Sequence, residues 1–402
     1  MTIVAQILDR IGGVAKPQRK FLLTLFATML VTPTRLTFLN LSRHSCVSEK
    51  TYRRQFRQPF DFAAFNQAAI AGAVPEATTT LFAQDTSFSS KSGKHTYGLD
   101  TFWNGCAARA ERGLEVSLIS ILDTQANHSF AISAEQTPAH PATKKQHKTE
   151  TRIDFYLEHL RRTAPYLPKG VKYGVMDGFY AKEKFVSGVC ALSYHVISKL
   201  RCDAQLLYPY SGAQKPRGRR RQFDGKVALT DLRRFAQHAT DQPHLTLYTQ
   251  VVWSVSLQRL VRVVVVVNRK DKTKPRFVVL FSTDTELSAT AIFRYYKARF
   301  SIEFIFRDAK QFAGFSDCQA RDKEALHFHF NASVAVVNVA RLMAHAEQTT
   351  DEKMVFSMAS IKQRAFNEHL LNLIISKLAL EQTAVINHPQ FEYLRNYAAI
   401  AA

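Results

Sequence analysis

Three carboxylates of this chain are placed for chemistry. Asp85 ends the apolar run "TLFAQD", and Asp177 ends "KYGVMD"; both runs read as short core strands. Glu303 lies in "YYKARFSIEFIFRDAK", residues 295–310, after another such strand, "RFVVLFSTD". Strand ends and the helices beside them are where a rigid sheet can hold reactive groups. Three carboxylates gathered by one sheet repel each other unless cations lie between them. Hard divalent ions with oxygen ligands, Mg²⁺ or in its place Mn²⁺, meet that need. Two such ions about 3.5–4 Å apart would clamp the attacking and leaving oxygens of an in-line phosphoryl transfer. Alone, each aspartate reads as readily as a turn residue or helix cap. The ordered set of strand–Asp, meander, strand–Asp, insertion and helix–Glu is the specific observation.

Read as one helix, the segment around Glu303 brings Tyr296, Arg299, Glu303 and Lys310 within an arc of roughly 60°. Phe300 and Phe304 flank this stripe on one side, Ile302 and Phe306 on the other. The pattern is a polar stripe between two apolar faces. The competing structural reading is a Glu303–Arg307 ion pair at i,i+4.

Lys and Arg outnumber Asp and Glu by 54 to 33, a net charge of +21 over 402 residues. That excess implies a polyanionic partner, with nucleic acid first and an anionic membrane surface second. No segment reads as a membrane anchor. Residues 16–31, "KPQRKFLLTLFATMLV", place cations before an apolar run but are too short to span a bilayer, so they read as a buried helix. Cysteines 46, 106, 190, 202 and 318 show no CxxC spacing, which excludes a cysteine-rich zinc site and suits a reducing cytoplasm.

These patterns divide the chain. Residues 1–75 read as an all-helical domain. Within it, 35–56 has the shape of a helix-turn-helix with Ser48 as N-cap and Arg53, Arg54 and Arg57 along the second helix; an ordinary helical hairpin with a basic outer face fits the pattern as well, and the net charge favours DNA. Residues 76–345 read as an α/β core, interrupted at 203–275 by a β-rich insertion that holds the charge run "KPRGRRR" (215–221), a polar helix-like piece and two long strands. Residues 346–402 read as a helical tail. Trp103 and Trp253 read as core residues more readily than as stacking platforms.

The residues carry a family likeness. The chain resembles DDE transposases of the bacterial insertion-sequence type 4 group, whose signature is Tyr, two residues, Arg, three residues, Glu, six residues, Lys. Tyr296, Arg299, Glu303 and Lys310 match it without a gap. "QDTSF" with "KSGKHTYG" resembles the first-aspartate region and "GVMDGFYA" the second. The resemblance implies an RNase H-like mixed-sheet core and makes Asp85, Asp177 and Glu303 the ligands of two Mg²⁺ ions per site. It implies that Arg299 and Lys310 hold DNA phosphates and that Tyr296 positions the strand. A flipped base would stack near the second aspartate, where Phe179 and Tyr180 lie. Arg307 is outside the signature and is expected to pair with Glu303 or Asp308. The implied activity is cleavage and strand transfer on double-stranded DNA, by a homodimer or higher oligomer bound to element ends at a bacterial nucleoid in the cytoplasm. Two relatives of that activity stay open: an inactive or domesticated DNA-binding descendant, and a nuclease that hydrolyses without joining.

Overall fold

The computed structural model describes residues 2–74, 79–126, 128–139, 151–270, 276–347 and 356–400. Five helices come first: α1 (Thr2–Ile11), α2 (Lys16–Val31), α3 (Phe38–Arg43), α4 (Glu49–Gln55) and α5 (Phe62–Ala71). Pro17 sits in the first turn of α2, where its missing N–H costs nothing. Phe21, Leu22, Leu25, Phe26, Met29 and Leu30 of α2 are buried. Among the described residues, no helix is long and apolar enough to cross a membrane. Ser48 caps α4, its side chain accepting from the Thr51 N–H at 3.3 Å.

Among the described residues, twelve strands then form one mixed sheet: β1 (Thr80–Ser90), β2 (Asp100–Asn104), β3 (Arg109–Asp123), β4 (His128–Gln136), β5 (Tyr173–Met176), β6 (His195–Leu200), β7 (Leu206–Pro209), β8 (Phe223–Lys226), β9 (Ala236–Ala239), β10 (Leu245–Ser254), β11 (Arg259–Asn268) and β12 (Arg276–Ser282). β1 runs antiparallel to β3 and parallel to β5, and β5 runs parallel to β6. The β4–β3–β1–β5–β6 half is therefore an RNase H-like core. β12, β11, β10, β7 and β8 extend it beyond β6 by antiparallel pairing. The insertion thus continues the central sheet. β1 and β5 approach closely because Gly174 faces Phe82 across the pair: a Cβ there would lie 2.2 Å from the ring.

Helices cover both faces. α6 (Arg152–Thr163) and α7 (Glu183–Ala191) bury Ile153, Tyr156, Leu160, Phe185 and Val189 against one. On the other lie α8 (Ala289–Ala298), α9 (Ser301–Phe312) and α10 (Lys323–Glu347), and the same core continues into α1–α5 and α11 (Met358–Lys377). Two short helices, α12 (Gln382–Ile386) and α13 (Phe391–Arg395), follow. α10 also closes an edge of the sheet. The Asn331 amide bonds both the N–H and C=O of Ala134, at 3.0 and 2.8 Å, and Asn338 does the same for Ala131. A bulge between the Ile119 and Ser120 rungs gives β4 its extra residue, Ile132, whose carbonyl accepts from Asn66 at 2.9 Å. Two side chains on a buried helix thus take the place of a neighbouring strand.

Several expectations are corrected. β1 does not end at Asp85 but runs on to Ser90, because β3 remains beside it after β5 has stopped. The helix-like piece of the insertion is strand and turn, since β9 finds a ladder on β10 that outweighs local helix preference. Trp103 is 62 % exposed, because Phe102 takes the inward position on β2 and alternation turns its neighbour out. Trp253 packs against Phe223, with ring centroids 5.7 Å apart.

Candidate active site

Asp85 and Asp177 are brought together by strand register. The last paired row of β1 and β5 is Gln84–Met176, so the two aspartates occupy the next positions on adjacent parallel strands, about 4.8 Å apart in strand spacing. Asp85 shares the face of Leu81 and Ala83, which pack into the core beneath α8–α10. Asp177 caps the short turn Gly178–Tyr180, its Oδ1 accepting from the Phe179 N–H at 2.8 Å. The turn-capping role expected of a lone aspartate is therefore real, and it aims the residue.

Glu303 arrives from the opposite side, on the first turn of α9. The segment read as one helix is two. The N–H groups of Arg299, Phe300, Ile302 and Glu303 each bond the carbonyl three residues back, at 3.1–3.3 Å, in place of the fourth. This tighter winding separates α8 from α9 and sets Arg299 at the joint. The Arg299 guanidinium donates to Asp85 Oδ2 and to Glu303 Oε1, at 3.1 Å each, and its side chain is only 15 % exposed. Glu303 therefore pairs with Arg299. Arg307 bonds Asp308 Oδ1 at 2.8 Å.

The electrostatics follow from this crowding. Burial pushes the Asp85 carboxyl up to about 7; Arg299 opposes the rise, while Asp177 and Glu303 add to it. Burial pulls the Arg299 guanidinium down, yet Asp85, Tyr296, Glu303 and Asp177 together hold it above its ordinary value. The charges of Asp85, Asp177, Glu303 and Arg299 sum to −3 + 1 = −2 when all are ionised.

Lys310 Nζ donates to the Phe88 carbonyl at 2.8 Å, tying α9 to the outer half of β1, and burial lowers its pKa. Tyr296 is half-buried, with the Arg299 guanidinium carbon 5.9 Å from its ring centroid. The flanks of the stripe differ from expectation. Ile302 and Phe306 are buried, but Phe300 and Phe304 are 53 % and 38 % exposed and stand edge to face. Beside Asp177, Phe179 is 48 % exposed with Lys182 Nζ 4.1 Å over its ring, whereas Tyr180 is buried and its hydroxyl has no hydrogen-bond partner among the described residues. Under the site lies a network invisible in the sequence, in which Glu115 Oε1 accepts from Tyr156 Oη at 2.6 Å and from Thr137 Oγ1 at 2.9 Å. A glutamate, Glu115, between Leu114 and Val116 at the start of the buried half of β3 was the available signal.

The other expected DNA contacts sit apart on the helical segment. Arg53 pairs with Glu49 at 2.5 Å and lies over the Phe38 ring; Arg54 is exposed. Arg57 falls just beyond α4 and pairs with Asp322 at 3.2 Å.

The donor set suits a hard divalent cation in kind: three carboxylates, an excess of negative charge, and one carboxyl raised by burial and, to a smaller extent, by the two neighbouring carboxylates. Among the described residues, however, no three acidic, imidazole or thiol groups are gathered closely enough to hold a metal ion as they stand. The Arg299 guanidinium bonds two of the three carboxylates.

Against known families, residues 85–339 match the transposase DDE domain, with Asp85 as the first matched residue. The chain belongs to the transposase DDE domain family. The match spans well over half the chain and takes in Asp177, Glu303, the insertion and most of α10. No curated protein matches the chain.

Proposed function

We propose that this chain is a DNA transposase of the insertion-sequence type 4 kind, cutting element ends and joining them to target DNA at Asp85, Asp177 and Glu303. The observation that carries the reading is the single arginine bonded to the first and third of these carboxylates, with the second on the neighbouring strand. Asp85, Asp177 and Glu303 would hold Mg²⁺ or Mn²⁺, which would activate the attacking water or 3′-hydroxyl and stabilise charge on the scissile phosphate. Arg299 can exchange a carboxylate for a phosphate without leaving the site, because its planar guanidinium pairs with either. Tyr296 and Lys310 flank that exchange, and Phe179, Phe300 and Phe304 present exposed rings beside it. Arg53, Arg54 and Arg57 would grip duplex DNA away from the cut. Joining two ends to one target calls for two such sites, hence at least a dimer.

A strand-transfer assay tests this reading. Purified protein would receive Mg²⁺ or Mn²⁺, a labelled duplex from the gene's own flank and supercoiled plasmid, with Glu303→Gln as control. Joined product that the variant fails to make is the expected result. Metal-dependent cutting without joining would make the chain a nuclease, and tight binding with neither would make it a DNA-binding descendant.

A further inference from the structure

The charge run of the insertion is built, not merely exposed. The loop between β7 and β8 is clasped at its base: Tyr210 N–H bonds the Gln222 carbonyl at 2.9 Å, and Gln214 bonds both the N–H and the C=O of Arg221, at 2.9 and 2.8 Å. Arg221, though exposed, lies over the Tyr210 ring at 4.6 Å and pairs with Asp224. The tip beyond the clasp carries Lys215, Arg217, Arg219 and Arg220, all exposed, with Gly218 at φ +100° turning the chain between them. None of these four has an ion-pair or hydrogen-bond partner among the described residues. The other arginines of the insertion are all satisfied within the protein: Arg221 and Arg234 by Asp224, Arg233 by Asp231, Arg259 by Ser187, Arg262 by the Thr285 carbonyl and Arg269 by Tyr248. The insertion thus pairs six arginines but leaves Lys215, Arg217, Arg219 and Arg220 unpaired together on one pinned loop, an arrangement that suits an outside anion.

The register gives the loop a place. One row of the sheet runs from Val175, beside Asp177, through Ile197, Ser282 and Arg262 to Val251. Leu207 pairs with Trp253, so antiparallel β7 brings Pro209 to that same row as the loop begins. From β5 to β7 there are five strand steps, which at about 4.8 Å each is about 24 Å. On B-DNA that is about seven base pairs, less than one turn. Resting on the transposase reading above, we propose that the 215–220 tip grips the phosphate backbone of duplex DNA within one helical turn of the active centre.

The test reads salt dependence. Binding of a mixed-sequence duplex of about 30 base pairs would be measured against salt, without metal, for the wild type and for the variant carrying Lys215→Ala, Arg217→Ala, Arg219→Ala and Arg220→Ala. The log–log salt slope should shrink by about 3.6 if all four cations contact phosphates, since each lost contact removes about 0.9. Gln214→Ala keeps every charge but opens the clasp; it should weaken binding several-fold while leaving more of the slope. Arg233→Ala, a paired arginine in the same insertion, should change little. A slope for the quadruple variant within about 1 of the wild type would overturn the assignment, leaving the tip a solvated surface. Single-stranded DNA of the same sequence competing as well as duplex, or binding to anionic vesicles that needs the tip while duplex binding does not, would overturn duplex as the partner. Failure of the wild type to bind any DNA would defeat the transposase reading and this inference together, whereas strand transfer with an unchanged slope would defeat the inference alone.

Discussion

Arg299 bridges two carboxylates that stand 214 and 4 residues away in the chain. It offsets part of the burial and like-charge repulsion that push Asp85 up to about 7. Arg299→Ala should therefore raise the Asp85 carboxyl further in the metal-free protein, as read by carboxyl NMR titration, and Arg299→Lys should restore part of the difference. An unmoved midpoint would mean that the guanidinium does not control Asp85. At the same scale, Asp85→Asn, Asp177→Asn and Glu303→Gln should each lower cleavage by about 10²-fold or more while duplex binding stays near the wild type. Binding that falls as far as cutting would remove the residue from the chemistry and assign it to the fold.

At the scale of elements, the edge of β4 rests on side-chain amides. Asn338→Ala would leave the Ala131 N–H and C=O unpaired in a buried place, at about 1–3 kcal/mol for each group. Chemical denaturation should show a lower midpoint with an unchanged slope; a shift below about 0.5 kcal/mol would mean that water replaces the amide. The opposite layer contains His159 of α6, fully buried between Ser117 of β3 and Ser133 of β4 at 3.0 and 3.1 Å. Burial lowers its pKa from 6.5 to about 3. Between those values the unfolded chain binds the proton and the folded chain does not, so the stability contribution is full above 6.5 and is lost as pH falls towards 3. The loss approaches about 1.4 kcal/mol per pH unit. Denaturation midpoints measured across that window should fall more steeply for the wild type than for His159→Asn.

Across the whole molecule, one core runs from Val4 and Leu22 through Leu81 and Leu118 of the sheet to Val337 of α10 and Ile361 of α11. Phe328 of α10 touches Phe21, Phe56 and Phe62 of the N-terminal helices. Removing residues 1–75 would strip the cover from a helix whose Phe328, Phe330, Val334 and Val337 are buried. The truncated chain should lose cooperative thermal unfolding and bind hydrophobic dyes. A truncated protein with a sharp transition would instead show that 1–75 folds apart from the α/β core. The net charge of +21 acts at this scale too, since its self-repulsion is relieved by any polyanion.

Much of this was legible from local pattern alone. The strands around Asp85 and Asp177, the capped helix at Ser48, the β-rich insertion and the spacing of Tyr296, Arg299, Glu303 and Lys310 all follow from periodicity and residue type, which act over a few residues. The tertiary structure decided what depends on partners distant in the chain. Helical spacing alone could not foresee the break at Arg299, which lets that residue reach Asp85 as well as Glu303. It could not tell that Phe300 and Phe304 face solvent while Ile302 and Phe306 face the core, because an apolar residue reads alike on either side until the sheet is in place. Nor could it separate the four unpaired cations of the insertion tip from the six paired arginines near them, since Arg259, Arg262 and Arg269 meet Ser187, the Thr285 carbonyl and Tyr248 only once the sheet is assembled.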